Sequence, residues 1–405
     1  MRNEVIRLNT RLTKSLKGEF EVRRKKLFSF LGIVCLALML TVLLALACAG
    51  PAPSPTPSPS PSPSPSPSPS PTPVPPPTVE TIKWKFQTYA PAGDLKCESD
   101  RQLIERINAM SSGRLEIQFF DAGAIAPATK EVDAVMRGAL DMSCDCFGYN
   151  VDKWKTTGLF STRSGGLDPV AMRIWFDQKG GLELANELLE GSGVTVLRGP
   201  YCAPTEVWAM STVAIDSLAD IKGLRMRCMG DPGEMLDTMG MSVIFLPGGE
   251  IYESIQRGVL DAFEYSSPMV NYDMGFHEIC KYWIMSDTRY PTDVLPYWVN
   301  TESWEKLTPD LRELIQCAAE AETWNLYAYI CSVNVEYVQK VQDYGCIFSH
   351  LPEEVEAAFL KVAKDFYDER AAGDPFYAEV LESQCQFQND YAGYASLTAP
   401  LATTK

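Results

Sequence analysis

Two arginines stand one residue apart in GLRMRCMGDPGEM, Gly223 to Met235, within a run that is otherwise apolar or small. If the run opens as a strand, Arg225 and Arg227 share one face, and Leu224, Met226 and Cys228 share the other. Arg227 falls at the C-terminal end of that strand, before a Gly/Pro turn and a helix, where open α/β sheets hold their ligands. A guanidinium in that position binds a carboxylate through two parallel hydrogen bonds, which fix orientation as well as charge. The plain alternative is a pair of surface arginines on an edge strand, and Arg225, nearer the strand's start, fits it better.

The charge of the chain makes Arg227 conspicuous. The 405 residues carry a net charge of −16. Nine of the 36 basic residues and three of the 52 acidic ones precede residue 48, so the remainder has a balance of −22. Such a surface repels nucleic acid and anionic lipid, and an anionic ligand needs a local positive site.

Catalytic chemistry finds no comparable foothold. The chain lacks a G-x-S-x-G elbow, a Walker A loop, an H-E-x-x-H pair and a Rossmann glycine fingerprint. Its two histidines, His277 and His350, disfavour imidazole-rich metal sites and histidine-based mechanisms. Ten cysteines follow residue 48 without a C-x-x-C pair, many among apolar residues. That pattern reads as buried thiols rather than a metal cluster, and it leaves the choice of thiol or disulfide open. Binding without catalysis is the expected function class.

The elements that must position Arg227 begin after an unusual N-terminus. A basic run, Arg23 to Lys26, precedes an apolar stretch from Leu27 to Ala47 that ends in LLALAC, the layout of an export signal. Small residues before Cys48 resemble the bacterial lipobox, with Cys48 as the lipidated residue; an uncleaved membrane anchor is the alternative. Residues 1–48 are thus a signal or anchor, and residues 49–78 are a Pro/Ser-rich spacer. In polyproline form the spacer reaches roughly 80 Å, at about 3.1 Å per residue.

TIKWKFQTYA then alternates as a strand, SDRQLIERINAMSSG places Leu103, Ile104, Ile107 and Met110 on one helical face, and RLEIQFF alternates again. A helix, KEVDAVMRGAL, and a strand, DMSCDCFGY, complete an α/β series with a largely parallel sheet. A second series starts near Pro204: VWAMS, LRMRCM, PGEMLDTMG, SVIFL, GEIYESIQRG and LDAFEY. From Thr308 the chain has Pro309 at the first helical position and no further Pro or Gly before Gly345. That spacing predicts a helix on the order of 50 Å, longer than one small domain needs. Two helices close the chain.

The stretch SLADIKGLRMRCMGDPGEMLDTMGMSVIFLPGGEIYESIQRGVLDAFEYSSP resembles the core of the solute receptors of tripartite ATP-independent periplasmic (TRAP) transporters, and most of all the branch that binds 2-oxo acids. Weaker similarity covers most of residues 80–390, including RINAMSSGRLEIQFFDAGAIAPATKEVDAVMRGALDM and NYDMGFHEICKYW. The resemblance implies a two-domain α/β fold like that of periplasmic binding proteins, with crossing hinge strands and one long helix spanning both domains. The expected division is domain I at 79–204 plus about 293–310, domain II at 205–292, the spanning helix at 308–345 and C-terminal helices at 346–405.

By position, the resemblance assigns Arg227 to the ligand carboxylate. It assigns Glu264 and the backbone of Tyr265 to a cation that bridges to the ligand, and Tyr149 to a ligand-contacting aromatic of the first domain. Glu206 falls where the branch tends to carry Gln, and Tyr265 where it often carries Trp. Trp208 and Trp283 wall the pocket or pack the core. If Glu206 and Glu264 both reach the cation, they and a ligand carboxylate sum to −3, which Arg227 reduces to −2. Ca²⁺ neutralises that charge and Na⁺ does not, and Ca²⁺ accepts a flexible oxygen shell; the alternative is a solvent-facing Glu206 without an ion role. The implied partners are a small carboxylate and the TRAP permease, with a membrane tether at the N-terminus. A sensor component of a signalling system and an extracytoplasmic enzyme are the competing readings.

Overall fold

The computed structural model describes residues 80–398. The apolar segment, Cys48 and the Pro/Ser-rich linker lie outside the described residues, and so do the export and lipidation readings placed on them.

The first of two large sheets takes β1 (Ile82–Thr88), β2 (Leu115–Phe120), β3 (Met142–Cys144) and β4 (Val194–Val196), then β12 (Tyr297–Asn300) from much further along, in the order β2-β1-β3-β12-β4. β1 runs parallel to β2 and β3, and the crossovers that parallel pairing requires are α1 (Leu95–Met110) and α2 (Glu131–Met136). Asp94 caps α1 by accepting from the Lys96 N–H. The helix lays Leu103, Ile104 and Ile107 against Trp84, Phe86, Leu115 and Ile117. Met110, expected on the same face, sits in the last turn and is exposed. After β3 come α3 (Thr157–Ser161), α4 (Pro169–Gln178) and α5 (Gly181–Leu188).

The second sheet contains β6 (Val207–Ser211), β7 (Arg225–Arg227), β8 (Ser242–Ile244), β9 (Ala262–Phe263), β10 (Tyr282–Met285) and β13 (Ile347–His350), in the order β13-β10-β6-β9-β7-β8. Its helices are α6 (Gly230–Thr238), α7 (Ile251–Gln256) and α8 (Pro268–Asp273). Residues 347–350, which the expected division places with the C-terminal helices, instead form a strand parallel to β10.

Each sheet has one reversed strand, and in both it is a strand that arrives from the other lobe. β12 is antiparallel to β3 and β4, and β6 is antiparallel to β9 and β10. The chain crosses between lobes through β5 (Tyr201–Cys202) and β11 (Val294–Leu295), which pair antiparallel as a small ribbon of their own. These are the crossing strands that the resemblance implies.

After the short α9 (Thr301–Glu305) runs α10 (Pro309–Tyr344), a single helix of 36 residues ended by Gly345 at a φ of 108°, a left-handed cap that glycine adopts without steric cost. Leu311, Ile315, Leu326 and Ile330 bury in the first-lobe core, whereas Val341 buries in the second-lobe core. Each such side chain contributes about 1.5–3 kcal/mol, so the helix is fastened at both ends. α11 (Glu353–Gly373) packs on α6, and α12 (Pro375–Thr398) packs on α4. The ten described cysteines are thiols, seven of them buried.

Candidate ligand-binding site

Arg227 is the last residue of β7, and the parallel register with β9 sets it opposite Phe263. The next residue along, Glu264, therefore lies beside it. Arg227 Nη1 is 2.8 Å from Glu264 Oε1 and donates to the Glu264 carbonyl at 3.0 Å, while Nε donates to the Leu246 carbonyl at 3.0 Å. Phe245 lies across the guanidinium. Nη2 makes no hydrogen bond among the described residues. The expected two-point grip is therefore halved, because the protein itself uses Nη1 and Nε, and Nη2 is the group left to face a ligand. Arg225 is the surface residue expected: its guanidinium clamps Asp261 on the outside of the sheet.

Arg227, Glu264, Glu206, Tyr149 and Tyr265 converge on one cavity of about 40 Å³ between the lobes. Its apolar wall is Val270 and Leu295 together with Leu326 and Ile330 from α10. Tyr149 packs between Tyr89 and Phe245 with its ring tilted against both, so an aromatic of the first lobe touches one of the second. Burial pushes the Tyr149 hydroxyl well up, with Arg227 opposing, which keeps it a neutral donor. The Tyr265 hydroxyl reaches across the cleft and donates to Asp94 Oδ2.

Trp208 does not line the cavity. It is wholly buried on the part of β6 covered by α11, where it meets Phe359 edge-on. Trp283 is likewise core, with its indole N–H donating to the Cys280 carbonyl.

Two residues that sequence reasoning missed complete the site. Arg289, fully buried, places Nη2 at 2.8 Å from Glu206 Oε2 and Nη1 at 3.9 Å from Glu264 Oε2. Its Nε and Nη2 are anchored on the Trp208 and Val207 carbonyls at 3.0 and 3.1 Å, and Tyr290 lies 4.5 Å from the guanidinium. Glu206 is thus buried and paired rather than solvent-facing; burial pushes its carboxyl up and Arg289 pulls it down. Asp293 also lines the cavity. Its Oδ1 accepts from Cys146 Sγ at 2.9 Å and Ser161 Oγ at 2.7 Å, and burial pushes its carboxyl up to about 6.

The residues assigned to a cation fit one poorly. Glu206 Oε2 and Glu264 Oε1 already face guanidinium groups, and Glu264 Oε2, the oxygen without a hydrogen bond, points toward Arg289. Among the described residues no three Asp, Glu, His or Cys side chains gather as a metal set.

Residues 86–374 match the family model for bacterial extracellular solute-binding protein, family 7, known as DctP. A relative from Nostoc sp., a monocarboxylate 2-oxoacid-binding periplasmic protein, is 25% identical over 308 residues, covering 76% of this chain and 84% of its own length. Two TRAP periplasmic solute-binding proteins share the fold, one from Colwellia psychrerythraea with bound calcium and pyruvate and one from Pseudoalteromonas atlantica with bound sodium and pyruvate. Each has a TM-score of 0.75 and 24% identity and covers 79% of this chain, with 98% and 97% of their own lengths matched. With its two lobes, crossing strands and spanning helix, the chain belongs to bacterial extracellular solute-binding protein family 7, the DctP-type receptors of TRAP transporters.

Proposed function

We propose that the chain is an extracytoplasmic receptor that captures a small 2-oxo or 2-hydroxy carboxylate between its lobes and delivers it to a TRAP permease. The observation that carries this reading is Arg227, a buried guanidinium at a strand end, with Nη2 uncommitted on the wall of the cavity between the lobes. The 2-oxoacid binding of the Nostoc relative and the pyruvate held by two proteins of the same fold support the ligand class. An ordered water needs roughly 10–15 Å³ of such space. A cavity of about 40 Å³ therefore favours a small acid over a sugar-sized ligand.

The ligand carboxylate pairs with Arg227 Nη2, the Tyr149 hydroxyl donates to a second oxygen, and the carbon end rests on Val270, Leu326 and Ile330. Closure removes water, and an ion pair strengthens as the surrounding dielectric falls. No bond of the ligand breaks, and it leaves unchanged. The N-terminal reading places the receptor on the outer side of the cytoplasmic membrane, tethered by lipid at Cys48.

The test is calorimetric titration of the mature protein with pyruvate, lactate and lactamide. The two acids bind at one site per chain and the neutral amide does not. Equal binding of lactamide contradicts charge recognition at Arg227.

A further inference from the structure

We infer that Arg289 is the resident cation of this binding site, bridging Glu206 and Glu264 so that the chain holds its carboxylate ligand without a metal ion. The inference rests on the reading of the cavity as a carboxylate site and concerns how that site balances its charge.

Without Arg289, Glu206, Glu264 and the ligand sum to −3 against one arginine, and the residual −2 calls for a divalent ion. With Arg289 the four side chains sum to zero, and the ligand adds a single negative charge to a neutral set. Hydrogen-bond donors on the wall, Arg227 Nη2 and the Tyr149 hydroxyl, suffice to hold one carboxylate. The lining also carries Asp94, Asp293 and Lys96, each held by the protein itself: Lys96 pairs with Asp100, Asp94 accepts from the Tyr265 hydroxyl, and Asp293 accepts from Cys146 and Ser161.

Arg289 is also fixed in place. Two main-chain carbonyls of β6 and the ring of Tyr290 hold the guanidinium, and none of its surface reaches solvent. Nη1 and Glu264 Oε2 face one another at 3.9 Å, and each lacks a hydrogen-bond partner. A metal on that oxygen lies within a few ångströms of a guanidinium that cannot move aside, and the two positive charges repel. The planar, permanently charged fork of arginine suits this bridging position, and it keeps its proton at any physiological pH.

The experiment measures Ca²⁺ and Na⁺ on the mature protein directly, by elemental analysis after dialysis against each ion, with and without pyruvate. Pyruvate is also titrated in EDTA, in sodium-free buffer and with added Ca²⁺. The inference expects less than 0.1 cation per chain and a pyruvate affinity that varies by no more than about twofold among the three buffers. Arg289→Met, which leaves the acids unbalanced, is expected to gain a stoichiometric Ca²⁺ and to bind pyruvate at least tenfold more tightly with Ca²⁺ than in EDTA. Should that variant fail to fold, the wild-type cation content decides the matter alone. One cation per wild-type chain overturns the inference. Failure of pyruvate, lactate and related acids to bind in every buffer strikes instead at the receptor reading, while the cation content still decides the role of Arg289.

Discussion

Arg289 Nη2 lies 2.8 Å from Glu206 Oε2, one link in a buried chain of alternating charge that runs Glu206, Arg289, Glu264, Arg227. Arg227 ends β7, Glu264 follows β9, Glu206 precedes β6 and Arg289 lies on the β10–β11 crossing, so this one arrangement couples the hinge to the ligand cavity. Its members are worth more together than apart, because taking one away leaves a charge without water and without a partner.

Arg227→Ala is the sharpest case. Affinity for the acid falls at least tenfold, and the protein is also destabilised by about 3–5 kcal/mol, since Glu264 loses its 2.8 Å partner. Arg227→Lys recovers part of the stability but little of the affinity, because an ammonium cannot serve Leu246, Glu264 and the ligand in one plane. Thermal unfolding and calorimetric titration of both variants separate the two effects.

Asp293 gives binding a pH dependence. Burial pushes its carboxyl up to about 6, and an arriving anion favours the protonated form further. Affinity for the acid therefore rises as pH falls from 7.5 to 5.5 and levels off once Asp293 is protonated. Asp293→Asn removes the proton exchange, and a titration series across that range is expected to be flat for the variant.

Closure is testable away from the cavity. A Cβ on Gly158 of α3 would overlap the Asp231 carboxylate of α6, so the close approach of the two lobes here depends on glycine. Gly158→Ala wedges the lobes apart and weakens the acid by roughly tenfold, while the residues of the cavity stay untouched. Adding Asp231→Ala restores closure and affinity. Small-angle scattering reports the opening, and an unchanged affinity in Gly158→Ala contradicts it.

Local patterns carried much of the fold. Alternation in β1 and β2, the helical face of α1 and the uninterrupted run from Pro309 to Tyr344 each depend on neighbouring residues, and each is present in the structure. The separation of Arg225 from Arg227 was legible for the same reason, since position along a short strand decides which of them reaches the cleft. Arg289 was not legible: in SDTRYPTD it looks like any loop arginine, and its role comes from Glu206, more than 80 residues away. Asp293 is hidden in the same way by its distant donors Cys146 and Ser161. Of the two roles left open for Trp208, core packing holds, because α11, much later in the chain, covers that part of β6. The strand β13 was missed because IFSH is short and mostly exposed, and only pairing with β10 defines it.

The central claim is that one small carboxylate sits against Arg227. Native mass spectrometry of the mature protein, purified from its own cells without added ligand, tests it most directly. The account predicts one retained acid per chain of about pyruvate size, displaced by excess lactate and absent from Arg227→Ala. A retained solute without a carboxylate, or an acid still bound in Arg227→Ala, contradicts it.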